Sequence, residues 1–464
     1  MTIIRPNSIS GVSSITAQGG DINVFRTDGT AADVTLNNIT SGIITATTFK
    51  GAVEGNVTGA VTGNVTGNVT GNATGLSGNP SINTTGIVTA TAFVPTTGQL
   101  SHRNIIVNGD MRIAQRGTSS TSSGFHTVDR FNVQFGGTDE AMTVEQANVA
   151  SGTTPYTLGF LKCLKVTNGN QTSGAGGGDW LEIYQYLEDQ DICNSGWNFK
   201  SATSYLTISF WVKSSVSQKF TGFFYTNNAG QGDSYTYSYQ IDNGSGGNLS
   251  ANTWTKITHT IPGNSNLTFN NDNTKGLAVG IFPFDGTDYT TSGHTEETWQ
   301  QWSSSNKLKD MDSTWWTTND ATFELTGLQL EVGPVATPFE HKSYQDEIMR
   351  CYRYYYAHKG MLWGITSAGD HLDLNLTFPV PMRATPSRTQ VDTSLLFKNR
   401  LDQENSTSAT TYSYSGAVSP TGDFWVARPG SGDSWGVSYT SSDTHAVYWH
   451  PHEGTTNYAW SAEL

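Results

Sequence analysis

Leu206-Thr-Ile-Ser-Phe-Trp-Val-Lys213 sets Leu206, Ile208, Phe210 and Val212 on one side of an extended chain and Thr207, Ser209 and Trp211 on the other. Successive side chains of a strand point to opposite faces, so this alternation predicts a half-buried β-strand. Leu277, Val279 and Ile281 repeat the pattern. Phe323 and Leu325 begin a third run, and Gly327 shifts the phase so that Leu328, Leu330 and Val332 continue it. An internal glycine at a phase change predicts a β-bulge. Many short strands separated by Gly, Asn and Asp turns predict a sandwich of the jelly-roll kind over residues 104–341.

The composition fits an all-β chain that faces the outside. Charged residues make up 14% of the 464, against about a quarter in an ordinary soluble protein, and Ser, Thr and Asn supply the polarity instead. With 25 Lys+Arg against 39 Asp+Glu the net charge is −14, which repels a phosphate backbone and excludes nucleic acid as a partner. Aromatic residues reach 11%, 13 of them Trp, too many for a disordered tail. Cys163, Cys193 and Cys351 are too few for a disulfide framework, and none sits in a C-x-x-C pair. No apolar run has membrane-spanning length, and Met1-Thr-Ile-Ile-Arg-Pro-Asn7 lacks the apolar stretch of a secretory signal. A surface-like composition without an export signal is expected of a protein assembled in a cytoplasm and released by lysis. A dedicated secretion machine would leave the same trace.

Residues 1–39 read as short strands, with Thr27-Asp-Gly-Thr30 as a hairpin turn. Residues 40–103 read as a stalk and linker. Gly51, Gly55, Gly59, Gly63, Gly67, Gly71 and Gly75 mark a period of four, which is not collagen's period of three. Extended, this repeat puts Gly and Val on one face and Asn and Thr on the other. Thr40-Ser-Gly-Ile-Ile-Thr-Ala-Thr-Thr-Phe49 and Thr84-Thr-Gly-Ile-Val-Thr-Ala-Thr-Ala-Phe93 bracket it as a second repeat, the mark of stacked architecture. A flexible linker has no reason to hold valine at every fourth position. The Asn-x-Thr triplets at Asn56, Asn64, Asn68 and Asn72 fit the polar face of the repeat better than glycosylation.

Residues 342–359 carry one short connecting helix. Ser343-Tyr-Gln-Asp346 resembles a capping box with Asp for Glu, and Ile348, Met349, Tyr352 and Tyr355 form one helical face, wedged between domains. Residues 360–464 read as a C-terminal, sandwich-like β domain in which Leu372, Leu374, Leu376 and Phe378 alternate. Its last stretch gathers Trp425, Trp435, Tyr439, Trp449, Tyr458 and Trp460. Aromatics with polar tips suit a wet recognition surface, and Trp435, Tyr439, Trp449 and Tyr458 are the candidate glycan-binding residues. The competing reading packs them into the core of a small sandwich. His450-Pro-His452 sets two imidazoles on one side of an extended strand; three copies on a threefold axis would offer six nitrogens to a metal ion. Pro451 points instead to an edge or loop.

Two further constellations invite chemistry. Asp285, Asp288, Glu296, Glu297, Asp310 and Asp312 share one long polar loop and contain the raw material for a glycosidase carboxylate pair. The same loop, about 285–320, holds Trp299, Trp302, Trp315 and Trp316, either a sugar-stacking platform or tryptophans folded back over the sandwich edge. Cys351 and His358 have no orienting acid, and Cys351 reads as a small hydrophobe. No P-loop, dinucleotide fingerprint or H-E-x-x-H motif occurs.

Several segments resemble bacteriophage tail-fibre and receptor-binding proteins. Asn104-Ile-Ile-Val-Asn-Gly-Asp-Met-Arg-Ile-Ala-Gln-Arg-Gly117 and Thr127-Val-Asp-Arg-Phe131 look like the opening of their carbohydrate-binding-like sandwich. Tyr184-Gln-Tyr-Leu-Glu-Asp-Gln190 resembles its middle, and Leu325-Thr-Gly-Leu-Gln-Leu-Glu-Val-Gly333 with Ala336-Thr-Pro-Phe-Glu340 its close. Arg350-Cys-Tyr-Arg-Tyr-Tyr355 resembles the helix that follows. The stalk is similar to those of fibres from phages of marine cyanobacteria. The resemblance implies a non-enzymatic virion protein, made in the host cytoplasm, whose N-terminal region joins other virion proteins and whose distal domains meet host surface polysaccharide without inserting in a membrane. A structural head, neck or tail fibre without receptor binding, or a polysaccharide-degrading tail protein, are the alternatives.

The stalk also sets an expected assembly. One Gly/Val stripe buries too little to offset chain ordering at ~1–2 kcal/mol per residue. Three chains can close around Val57, Val61, Val65 and Val69, with glycine allowing close backbone approach, and fibres of the resembled family are trimeric. A parallel homotrimer is therefore expected, with any metal on its axis. Light scattering of the full-length protein should give the mass of three chains; a single-chain mass that persists on concentration would contradict it.

Overall fold

The computed structural model describes Thr30 and residues 102–226, 234–305, 307–359, 362–367, 371–390, 395–399, 404–407, 418–427, 445–451 and 458–464. Val57, Val61, Val65, Val69, Trp435, Tyr439 and His452 lie outside the described residues, and so does the repeat. The chain divides into units Met1–Thr89 and Ala90–Leu464; every described residue but Thr30 belongs to the second.

Two six-stranded antiparallel sheets bury one core between them. The first runs, edge to edge, β1 (Ser119–Ser120), β3 (Thr143–Asn148), β4 (Lys162–Thr167), β12 (Thr322–Val332), β6 (Tyr205–Ser214) and β9 (Thr255–Pro262). The second runs β11 (Gln300–Gln301), β8 (Tyr235–Ile241), β7 (Phe220–Thr226), β10 (Lys275–Asp285), β5 (Trp180–Glu188) and β2 (Asn132–Gly136). The chain crosses between sheets at most connections, as in a jelly roll. Leu206, Ile208, Phe210 and Val212 of β6 share the core with Leu277, Val279 and Ile281 of β10, all fully buried. Each such side chain contributes about 1.5–3 kcal/mol.

Strand β6 departs from the half-buried expectation. Thr207 and Ser209, on its outer side, are buried as well. The segment after β12 straps that face: Thr207 Oγ1 donates to the Gly333 carbonyl at 2.6 Å, and Phe339 meets Phe160 edge-on with centroids 4.9 Å apart. The expected bulge is present. Pairing of β12 with β6 slips between Thr326 and Gln329, Gly327 has φ +64°, and a Cβ there would lie 2.8 Å from the Phe160 ring.

Four helices occur among the described residues, the longest spanning Tyr344–Tyr352. Its N-cap Ser343 accepts from the Asp346 amide at 3.0 Å. Asp346 returns only to the Ser343 hydroxyl, at 2.7 Å, because Asp is one methylene shorter than the Glu that reaches a cap amide. Ile348 and Cys351 pack on Val107 and Ile113 of the sandwich. Tyr355, expected on the helix, instead begins β13 (Tyr355–His358). A three-stranded sheet follows, β13, β22 (Tyr458–Ser461) and β16 (Ser387–Gln390). A seven-stranded sheet orders β18 (Glu404–Thr407), β17 (Leu395–Asn399), β21 (His445–Pro451), β14 (Leu362–Ser367), β15 (His371–Thr377), β20 (Gly422–Ala427) and β19 (Val418–Ser419).

Gly327→Ala forces a side chain into left-handed backbone and against Phe160, at a cost of about 1–3 kcal/mol. A thermal melt should show the sandwich midpoint lowered by several degrees. An unchanged midpoint would mean the bulge tolerates a side chain.

Candidate functional site

The first sheet is strapped on its outside; the second carries an aromatic outer face whose rings are themselves largely buried. Alternation sends Glu182, Tyr184 and Tyr186 of β5 outward, with Phe282 of β10, Phe223 and Tyr225 of β7, and Gln134 of β2. Where the first sheet carries Thr207 and Ser209, this face is aromatic. Tyr184 and Tyr186 stack with centroids 5.3 Å and planes 16° apart. Phe282 meets Tyr184 edge-on at 5.1 Å and lies tilted against Phe223 at 4.9 Å. Gly280 makes this approach possible, since a Cβ there would stand 2.6 Å from Phe282 and 3.1 Å from Tyr184. From Glu182 to Tyr186 the floor runs about 13 Å along the strand.

The 285–312 loop folds over one end of this face. Lys307 Nζ lies 2.8 Å from Asp285 Oδ2 and also ion-pairs with Glu182. It stands 4.9 Å from the Tyr289 ring centroid. Burial pulls the Lys307 pKa down, but Asp285 and Glu182 outweigh it and the net shift is upward. Burial, reinforced by Glu182, pushes the Asp285 carboxyl well above the usual carboxylate range.

Backbone bonds fasten the rest of the loop to β8. Glu297 N donates to Ser238 O at 2.7 Å and Trp302 N to Ser234 O at 2.8 Å. Trp302, 44% exposed, then stands beside Tyr225 with centroids 5.9 Å apart. Trp299, Trp315 and Trp316 went the other way and are buried in the core. Their indole nitrogens donate to the carbonyls of Pro262 at 2.7 Å, Thr322 at 3.1 Å and Gly174 at 3.1 Å. Three of the four loop tryptophans thus fold back, and Trp302 stands at the aromatic face.

The resulting groove encloses about 330 Å³. Tyr184, Tyr186 and Phe223 line it together with Tyr289 and Trp302 of the loop, and Gln134, Glu182, Lys275 and Lys307 add polar groups. Flat apolar faces rimmed by hydrogen-bonding groups suit a ligand that is itself flat on one side and hydroxylated at its edges. Three of the six candidate acids are engaged elsewhere. Asp285 is fully buried behind Lys307, Glu296 accepts from Gln240 at 3.1 Å, and Asp310 accepts from Thr290 at 3.0 Å. Glu182 and Asp285 sit on one ammonium rather than facing each other across a groove-bound bond.

The C-terminal candidates divide differently. Tyr458, expected at a wet surface, is fully buried in the central strand of the three-stranded sheet. It packs on Trp460 with centroids 6.1 Å apart, so the core reading replaces the binding one there. Trp449 and His450 lie on β21, between β14 and β17, in register with Phe397 and Leu396 of β17. Pro451 ends that strand opposite Leu395. Among the described residues no cluster of three or more His, Cys, Asp or Glu side chains is placed to hold a metal ion, and no helix is long and apolar enough to cross a membrane. Cys351 is buried among apolar side chains, and burial pushes its thiol pKa well up.

Apart from Trp302, the groove residues were missed in the sequence. The available signal was aromatic pairs at i, i+2, namely Tyr184 with Tyr186 and Phe223 with Tyr225, in strands whose other face carries core residues such as Ile183, Leu187 and Phe224.

No family model and no curated protein matches the sequence. Among solved structures, the chain is similar to the enzymatically active domain of bacteriophage CBA120 tailspike protein 4, at 10% identity and TM-score 0.27. That match covers 50% of this chain and 21% of the tailspike chain. It is similar to the family 11 carbohydrate-binding module from Clostridium thermocellum in complex with a β-1,3-1,4-mixed-linked tetrasaccharide, at 13% identity and TM-score 0.22, over 47% of this chain and 98% of the module. It is also similar to TmCBM61 in complex with β-1,4-galactotriose, at 11% identity and TM-score 0.21, over 50% and 99%.

Proposed function

We propose that the chain is a non-enzymatic virion fibre protein that projects from a phage particle and adheres to host surface glycans. The observation that carries the adhesive part is the groove on the second sheet, where Tyr184, Tyr186, Tyr225 and Trp302 line the walls beside Gln134, Glu182 and two lysines. A pyranose ring has apolar C–H faces and hydroxyl edges, the complement of that surface. The virion part rests on the stalk repeat and on the fibre-like order of segments. In this reading residues near the N-terminus join other virion proteins, the stalk trimerises, and the sandwich carries the glycan site. A structural fibre without a receptor is the other reading, and an empty, non-binding groove would favour it.

Trp302 is exposed at the groove edge, so Trp302→Ala should leave the melting temperature unchanged. It should weaken binding of full-length protein to intact host cells, competed by their surface polysaccharide, by about threefold to tenfold, the worth of one aromatic stacking contact. Undiminished cell binding by this variant would place adhesion elsewhere on the chain.

A further inference from the structure

The groove holds two lysines in a chain whose net charge is −14. They are not equivalent. Lys307 is spent on Asp285 and Glu182. Lys275, the first residue of β10, rests its ammonium 3.6 Å from the Tyr186 ring centroid. Its strand partner is Glu188, which would be the natural counter-ion. Glu188 is turned away: Arg353 holds it through two bonds of 2.6 Å, and Tyr354 donates to it at 2.7 Å. Neighbouring Thr274 takes up Asp272 at 2.6 Å and Asp189 at 3.4 Å. Among the described residues no carboxylate forms an ion pair with Lys275.

We infer that the groove selects acidic glycans, with Lys275 meeting a sugar carboxylate or sulfate while the ring lies on the tyrosine floor. The inference rests on the glycan-binding reading and refines it. Burial and the nearby Arg383 cation both push the Lys275 pKa down. A neutral sugar seated on Tyr186 would cover that ammonium and give no charge in return. An anionic sugar would supply a charge-assisted hydrogen bond where the protein offers none. The cation–π contact holds the ammonium over the ring rather than extended into solvent, so it is already placed for a ligand stacked beside it.

The test uses full-length protein on an array of neutral, uronic-acid-bearing and sulfated oligosaccharides, followed by titration with polygalacturonate and its methyl ester. Binding to acidic glycans is expected, with carboxylate and sulfate told apart by the array. The ester should bind about tenfold more weakly than the acid, and Lys275→Gln should reduce binding of the acid about tenfold and so abolish its advantage over the ester. Lys275→Arg should retain acid binding. Signals on neutral sugars alone, or acid binding indifferent to Lys275→Gln, would overturn the acidic preference and leave the glycan reading standing. Silence across the array would overturn the glycan reading and this inference with it.

Discussion

The Lys307 ammonium fastens a long loop to the face of a sheet by meeting Asp285 at the end of β10 and Glu182 on β5. Three ionisable groups are taken out of water together, which is tolerable only because each answers another. Removing one member of such a buried cluster costs about 3–5 kcal/mol, since it strands a charge. The consequence for the surface is geometric. With residue 307 pinned and its amide bonded to the Tyr289 carbonyl at 3.1 Å, the loop brings Tyr289 and Trp302 to the aromatic floor and shapes the groove there.

The two sheets solve the problem of their outer faces in opposite ways. On the first, the chain leaving β12 covers Thr207 and Ser209 and packs Phe339 on Phe160. On the second, the rings of Tyr184, Tyr186, Phe223 and Phe282 pack against one another and against Leu308 of the covering loop, so that Tyr184 and Tyr186 show only a small part of their surface at the groove. Rings pre-packed in this way lose little freedom when a ligand stacks on them. The other end of β5 is fixed as firmly, by the Arg353–Glu188 pair and by Arg130, which lies 3.4 Å from the Tyr354 ring centroid and ion-pairs with Glu463 of the last segment.

The sandwich was legible because its signal is local. Leu206 to Val212 and Leu277 to Ile281 declare a two-residue period without reference to the rest of the chain, and Gly327 declares its bulge by breaking that period. The site was less legible because it depends on which face of a strand borders a groove. Aromatic residues alternate with core residues in β5 and β7, and a sequence alone does not distinguish an aromatic face that lines a groove from one wholly covered. Tyr458 shows the converse. Its polar tip and aromatic neighbours suggested a wet surface, while its place in the central strand of a sheet made it core. The fate of Trp302, against that of Trp299, Trp315 and Trp316, was decided by loop anchors far apart in sequence.

The central claim is that the outer face of the second sheet is where a glycan lies. A crystal structure of the protein with a bound host-surface oligosaccharide tests it most directly. Sugar density is expected along Tyr184 and Tyr186, bordered by Trp302 and Lys275. Density seated instead on residues 360–464, with the groove empty, would contradict it.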